Sequence, residues 1–196
     1  MFGSLEKDSP KWKKVRLGNH IEIIGGYAFK SEFFIDRGIP VLRIGNINTG
    51  RFVNKNLVFW QESADLTRYL VFPGDIVISL TGTVGKDDYG NVCIINDSFA
   101  KYYLNQRNAK LSIKDSFSPI FIAAILSFPV IKKKLTGVNR GVRQANIANK
   151  DIADLIIPAP PLELQNEFAA FIEQLDKSKV ICNKLYKEVD FLQFWM

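Results

Sequence analysis

A proline-rich corner followed by an unbroken segment is the feature that most constrains this chain. Proline lacks a backbone N–H and its ring clashes with the preceding turn, so the run Pro158-Ala159-Pro160-Pro161 fits neither a helix interior nor a central strand. No glycine or proline occurs in residues 162–196. The sequence therefore predicts one folded unit over residues 1–158 and one long helix within residues 159–196.

The predicted helix carries its apolar residues in a heptad pattern. From Phe168 to Leu192 they are spaced alternately three and four residues apart, as in the seam of a coiled coil, and Leu164 extends the series upstream. Ser178 is the one clearly polar position of this seam. The expected contact residues are Leu164, Phe168, Phe171, Leu175, Cys182, Leu185, Val189 and Leu192.

The length of this helix bears on what covers its seam. At 1.5 Å per residue it would extend roughly 45–50 Å, which exceeds the width of a domain of about 160 residues. We therefore expect most of the helix to project and its seam to need a partner helix. The alternative is an amphipathic helix that lies back on its own domain.

Upstream of the corner, the pattern is that of a mixed α/β (α+β) domain. The clearest strand is the β-branched run Ile76–Ile78, which follows a Pro-Gly-Asp turn. Ser118-Pro119 forms a cap and first-turn pair for a helix that Pro129 should break or restart. Further strands are expected within residues 12–17, 20–29, 38–53, 91–96, 109–113 and 155–157. We predict a twisted, mainly antiparallel β core with short helices.

Charge is distributed unevenly along the chain. The net charge is +6, but residues 162–196 contribute −2, with four lysines against six acids, so the remainder carries +8. A basic body is suited to contact with a polyanion, and a slightly acidic helix is suited to contact with protein.

The sequence offers little material for catalysis or for a bound cofactor. With one histidine and two distant cysteines, the sequence predicts no metal site, disulfide framework or Ser–His triad. The segment "SLTGTVGKDD" is not a phosphate-binding P-loop, because Leu80 stands where a glycine is required and Asp87 follows Lys86. No stretch has the length of a membrane span or the form of a signal peptide, so we expect a cytoplasmic protein.

Four motifs, in a fixed order, carry a resemblance to a known family. They are "WKKVRLGN" at Trp12–Asn19, "GIPVLRIGNINTG" at Gly38–Gly50, "FPGDIVISLTGTVGK" at Phe72–Lys86, and the segment Gly141–Asp176 with its G-x-x-Q-x-N-I, I-P-x-P-P and Glu-x-Gln steps. Together they resemble the specificity (S) subunit of type I restriction-modification systems, and they span nearly the whole chain.

The resemblance implies a target-recognition domain over residues 1–158 and a conserved-region helix over residues 159–196, used for dimerisation and for docking of the modification subunit. A full S subunit resembles two such units in tandem, each reading half of a bipartite site in double-stranded DNA. This chain holds one unit, as a natural half-subunit or as half of a longer chain. Because the two helices of a full S subunit are expected to pack antiparallel, the resemblance implies a homodimer in which the helix pairs with the antiparallel helix of a second copy.

The resemblance also implies that the chain is not an enzyme and holds no cofactor. S-adenosylmethionine would serve the modification (methyltransferase) subunits, while ATP and Mg would serve a restriction motor-nuclease subunit. Other interpretations are a stand-alone dimeric DNA-binding regulator, a specificity domain detached from a single-chain restriction enzyme, and a protein-only adaptor.

The residues expected to meet DNA are chosen by chemistry, since guanidinium, amide, hydroxyl and ammonium groups on glycine- and asparagine-rich loops suit groove edges and phosphates. The group around the flexible Gly141, with Arg140, Arg143 and Gln144, is the strongest candidate. The full set is Lys30, Ser31, Arg43, Asn46, Asn48, Arg51, Thr83, Lys86, Lys101, Tyr102, Tyr103, Arg107, Asn139, Arg140, Arg143, Gln144 and Asn146.

Overall fold

The computed structural model describes residues 12–47, 50–83, 86–114, 117–137, 144–175 and 178. Its strands in chain order are β1 (Lys14–Arg16), β2 (Ile21–Gly25), β3 (Ile39–Leu42), β4 (Val58–Trp60), β5 (Leu70–Val71), β6 (Ile76–Ser79), β7 (Thr81–Thr83), β8 (Val92–Ile94), β9 (Tyr102–Leu104), β10 (Asn108–Ile113), β11 (Gln144–Asn146) and β12 (Ile156–Pro158). Its helices are α1 (Pro119–Ser127), α2 (Pro129–Thr136), α3 (Asn149–Ala153) and α4, which is helical over residues 162–175.

A four-stranded antiparallel sheet in the order β2-β10-β6-β8 forms the centre of the domain. Strand β6 is buried along its whole length, which explains why three of its four residues are apolar. Because side chains alternate along a strand, Ile76 and Ile78 enter the core cluster shared with α1, while Val77 enters a second cluster with Leu42 and Tyr102.

A second four-stranded sheet has the order β4-β3-β9-β5. Its β3 and β9 strands run parallel, with Leu42 level with Leu104, and its other pairs are antiparallel. The prediction of a mainly antiparallel β core in a mixed α/β domain is therefore confirmed. The parallel pair has a consequence for function, because it brings the carboxyl ends of two strands to the same edge.

The two helices after the sheets begin where the sequence predicted. The Ser118 hydroxyl accepts a hydrogen bond from the Phe121 N–H at 3.5 Å and Pro119 is the first helical residue, so α1 has a capped start. Pro129 restarts the chain as α2. Near the corner, β12 pairs with β1, which ties the end of the domain to its beginning.

Helix α4 lies against the domain at its start. Phe168 is buried, with its ring centroid 6.0 Å from that of Phe121, whereas Phe171 and Leu175 are 53% and 39% exposed. The prediction that Phe168 belongs to the same uncovered seam is therefore wrong, because its side chain completes the domain core. Leu164 is half-buried. Cys182, Leu185, Val189 and Leu192 lie outside the described residues, so the length of the helix stays a prediction.

The described part of the chain contains no helix that combines the length and the apolarity needed to cross a bilayer.

Candidate functional site

A basic cleft lies at the edge where the parallel strands β3 and β9 end. Arg43 follows β3 directly and Asn105 follows β9, so the pairing of the two strands places them side by side. The carbonyl of Leu42 accepts hydrogen bonds from the Asn105 N–H at 3.2 Å and from Nδ2 of the buried Asn108 at 2.8 Å. These bonds hold the turn between β9 and β10 against the end of β3.

The cleft has a volume of about 610 Å³. Its cations are Arg43, Lys55 and the exposed Arg107, and none of the described residues that line it is acidic. Its amides include Asn105 and Gln106, and two phenylalanines complete the wall. Guanidinium and amide groups present planar pairs of hydrogen-bonding atoms, which are suited to base edges in the major groove. Net positive charge without local carboxylates is suited to phosphates.

One predicted contact residue in this cleft has a structural role instead. Asn46 was expected on an exposed loop but is 3% exposed. Its Oδ1 accepts from the Arg43 N–H at 3.0 Å, and its Nδ2 donates to the carbonyls of Val53 and Lys55, each at 3.0 Å. The expectation of exposure is wrong, because the amide is occupied in bracing the loop that carries the cations.

The same loop holds Arg43 in place. Arg43 Nη2 donates to the carbonyl of Asn56 at 2.6 Å. Asn56 has a φ of 53°, a left-handed conformation that asparagine adopts more readily than most residues. One side of the Arg43 guanidinium is thus anchored by backbone, and Asn46 fixes the stretch that supplies this anchor.

A short antiparallel ribbon brings together two of the predicted loops. Strands β7 and β11 pair with Thr83 opposite Gln144 and with Thr81 opposite Asn146. Ala145 is buried, whereas Thr83 and Asn146 are exposed. Two described segments that lie about 60 positions apart in sequence are therefore hydrogen-bonded neighbours in this ribbon.

The turn beyond Thr83 is closed by a carboxylate. Asp88 accepts hydrogen bonds from the Thr83 N–H at 2.8 Å and from the Thr83 hydroxyl at 2.9 Å. The first of these bonds is the main reason that the pKa of Asp88 lies below its usual value. A Cβ at Gly82 would lie 2.3 Å from Asp88 Oδ1 and 2.7 Å from the Tyr89 side chain, so only glycine allows this closure.

The ribbon and the cleft adjoin at Leu80. Its N–H donates to the carbonyl of Arg107 at 2.8 Å, and its carbonyl accepts from the Ile147 N–H at 2.8 Å. The cleft residue Arg107 and both strands of the ribbon are therefore joined to one position of the backbone. Arg43, Arg107, Thr83 and Asn146 belong to neighbouring parts of one surface.

Tyr102 and Tyr103 do not belong to this surface. Both are 0% exposed, and they lie in strand β9, in the middle of the second sheet. The Tyr103 hydroxyl accepts from the Ser63 N–H at 3.0 Å, and the Tyr102 hydroxyl accepts from the Phe99 N–H at 3.1 Å. The prediction that they lie on an accessible loop is wrong, because their rings fill the core and their hydroxyls are occupied.

The remaining predicted residues are dispersed. Lys30 and Ser31 are exposed and follow Phe29, which lines the cleft. Lys101 precedes β9, so it lies at the opposite end of that strand, where it forms an ion pair with Glu62. The exposed Arg51 lines a largely apolar groove between β8, α1 and α4. Asn48, Asn139, Arg140 and Arg143 lie outside the described residues, as does the side chain of Gln144.

A second basic hollow was not predicted from the sequence. It has a volume of about 480 Å³, and Lys86 lines it together with Lys132 and Lys133 of α2. Lys132 is paired with Asp87, whereas Lys133 is exposed. The run of three lysines at residues 132–134 was the sequence signal that could have indicated this hollow. Lysines are also expected in the last turn of any helix, where they interact favourably with the helix dipole, so the run does not by itself indicate a binding site. Lys55, Asn105 and Gln106 were also missed.

No group of three or more histidine, cysteine, aspartate and glutamate side chains is arranged to hold a metal ion within the residues that the structure describes.

Comparison with known proteins places the whole fold in one family. Residues 10–190 match the profile of the "Type I restriction modification DNA specificity domain". The chain is 31% identical over 181 residues to the type I restriction enzyme EcoAI specificity subunit of Escherichia coli, and the match covers 89% of this chain and 29% of that subunit.

Two solved structures share the fold. The HsdS subunit from Thermoanaerobacter tengcongensis superposes with a TM-score of 0.63 at 22% identity, over 90% of this chain and 40% of that one. A chain from a structure of the assembly and conformational transition of the type I R-M system gives a TM-score of 0.70 at 21% identity, over 96% of this chain and 44% of that one. The chain thus spans less than half the length of these relatives.

Proposed function

Because the chain belongs to the family of type I restriction-modification DNA specificity domains, we propose that it reads one half of a bipartite site in double-stranded DNA for a type I restriction-modification complex. The observation that carries this proposal is the basic cleft, which adjoins the ribbon at Leu80. It presents Arg43, Lys55 and Arg107 beside amides, with no acidic residue among the described lining of the cleft.

The two parts of this surface are suited to different contacts. The cleft combines anchored guanidinium and amide groups, which favours hydrogen bonds to base edges. The ribbon offers hydroxyl and amide side chains at Thr83 and Asn146, and the exposed Lys86 and Lys133 line the neighbouring hollow. Such isolated ammonium groups are suited to phosphates, which position a protein on the duplex without reading its sequence.

The chain itself is proposed to be non-catalytic and to hold no cofactor. In this proposal, modification subunits supply methyl transfer from S-adenosylmethionine, and a motor-nuclease subunit uses ATP and Mg. The chain's task is to place these partners at a chosen site. The family match supports this division of roles, and the basic surface supports the DNA-binding part of it.

Helix α4 is proposed to make the assembly contact. Phe171 and Leu175 are 53% and 39% exposed and are four residues apart, so they lie on one face of the helix. An antiparallel helix from a second copy, or the second unit of a longer chain, would cover them. Two copies related by a two-fold axis would then read an interrupted inverted repeat.

The direct test is methylome sequencing of cells that express this chain with its modification subunit. We expect methylated adenines at one interrupted motif. Arg107→Ala should relax or abolish that motif, because it removes an exposed guanidinium from the cleft. Lys101→Ala is the matched control, since Lys101 lies at the other end of β9 and should leave the motif unchanged.

DNA binding measured by fluorescence anisotropy gives a second readout. Arg107→Ala should weaken binding by about tenfold, the scale of one lost charged contact, and Lys86→Ala should reduce the slope of log affinity against log salt by about one. The pair Arg140→Ala with Arg143→Ala is expected to cost at least tenfold. If the unaltered complex yields no motif and binds DNA without dependence on salt, the proposed function is wrong.

A further inference from the structure

The start of α4 contains a buried polar side chain that does not belong to the basic surface. Gln165 is 2% exposed, although it is a polar residue in the first turn of α4. Its Oε1 accepts from the Ser118 N–H at 3.0 Å, and its Nε2 donates to the carbonyl of Pro160 at 2.8 Å. One amide thus links α4 to the cap of α1 and to the proline corner.

Both partners of this amide need a hydrogen bond from outside their own elements. Ser118 is the N-cap of α1, so its backbone N–H is not used within that helix, and Ser118 is itself only 6% exposed. The Pro160 carbonyl lies just before α4, in a corner whose prolines have no backbone N–H to donate to it. A primary amide has an acceptor and a donor at a fixed separation, and it can satisfy both groups at once.

The Gln165 amide constrains the direction of α4 in a way that the neighbouring apolar contact does not. Phe168 packs on Phe121 with ring centroids 6.0 Å apart, and apolar contacts of this kind tolerate small rotations. Hydrogen bonds weaken steeply once the angle or the distance departs from its preferred range. Two bonds from one side chain therefore limit both the tilt and the rotation of α4 about its first turn.

We infer that Gln165 is a positioning residue that sets the direction in which α4 leaves the recognition domain, and thereby the spacing between the two DNA half-sites read by the assembly. This inference rests on the proposed function. The residues 162–175 span about 20 Å along the helix axis. A tilt of about 10° at the first turn moves their far end by about 3.5 Å, close to the rise of one base pair of about 3.4 Å.

The test replaces the amide without changing its length. Gln165→Met removes both hydrogen bonds, and Gln165→Glu keeps the acceptor for the Ser118 N–H but loses the donor to Pro160. Gln174→Met is the matched control, because Gln174 is an exposed residue of the same helix. Each variant is expressed with its modification subunit, and methylation is read at sites whose spacer differs by one base pair in either direction.

We expect Gln165→Met to keep the half-site sequence but to raise methylation at the neighbouring spacers at least tenfold relative to the preferred spacer. Gln165→Glu should raise methylation at the neighbouring spacers by an intermediate factor. Gln174→Met should give the same distribution of methylation over spacers as the unaltered chain. If either Gln165 variant loses methylation equally at all spacers, in proportion to its folded fraction, or if both fail to fold, the positioning role is refuted. Absence of any motif with the unaltered chain would instead refute the proposed function.

Discussion

Replacement of Asn46 by alanine separates a loop-bracing role from a DNA-reading role. The substitution deletes three hydrogen bonds of 3.0 Å, one accepted from Arg43 and two donated to the carbonyls of Val53 and Lys55. Each bond is worth about 0.5–1.5 kcal/mol net, and a buried group left without a partner costs about 1–3 kcal/mol. We therefore expect the free energy of unfolding to fall by about 2–4 kcal/mol.

For a chain of this size, about 1 kcal/mol corresponds to about 2–4 °C in Tm, so the expected decrease is about 5–15 °C. Thermal unfolding followed by circular dichroism measures it. Asn54→Ala is the control, because Asn54 is an exposed residue of the same loop and should change Tm by little. Asn46→Asp should be at least as destabilising as Asn46→Ala, since it puts a carboxylate oxygen against two carbonyl oxygens.

The outcome for DNA binding completes the experiment. Below its new Tm, Asn46→Ala should still bind DNA, with a moderate loss because Arg43 and Lys55 are less well held. If the variant keeps the original Tm and loses affinity for DNA at least tenfold, Asn46 contacts DNA directly and the assignment from its burial is refuted.

Three further predictions concern other parts of the chain. Phe168→Ala should lower the free energy of unfolding by about 3–5 kcal/mol, as for other buried phenylalanines. Phe171→Ala should leave the free energy of unfolding nearly unchanged and should weaken self-association in sedimentation experiments. An equal loss of stability in both variants would contradict their different burial. Burial raises the pKa of the Cys93 thiol from 9.0 to about 12. Because the unfolded thiol ionises first, stability should decrease between about pH 9 and about pH 12 more in the native chain than in Cys93→Ala, as measured by urea unfolding. In Cys182→Ser, reaction of the remaining thiol with Ellman's reagent at neutral pH should follow unfolding; rapid reaction of the folded chain would be inconsistent with burial.

The elements with strong local signals were predictable from the sequence. Ser118-Pro119 and Pro129 define the starts of α1 and α2, because a cap and a fixed φ act within one helical turn. The β-branched run of β6 needs no distant information either. The family, too, is carried by short motifs in a fixed order, and the family match confirms it.

Which residues belong to the candidate surface could not be predicted from the sequence, because it depends on contacts between segments that are distant along the chain. Tyr102 and Tyr103 lie next to Lys101 in a polar-looking stretch, yet β9 is buried because Tyr102 packs into one apolar cluster and Tyr103 into another on the opposite face of the sheet. Asparagine serves equally well in reading DNA and in bracing a loop, and the enclosure of Asn46 by Val53 and Lys55 decides which role it has.

The sequence by itself determined that apolar residues recur at heptad spacing after a proline corner, that a basic body precedes them, and which family this arrangement belongs to. These are properties of order and composition along one segment. Tertiary structure alone decided that Phe168 faces the domain while Phe171 faces outward, because docking of Gln165 on Ser118 and Pro160 selects one rotation of the helix. A helical period is the same for every rotation about its axis, so only the contacts with neighbouring elements distinguish the covered face from the exposed one.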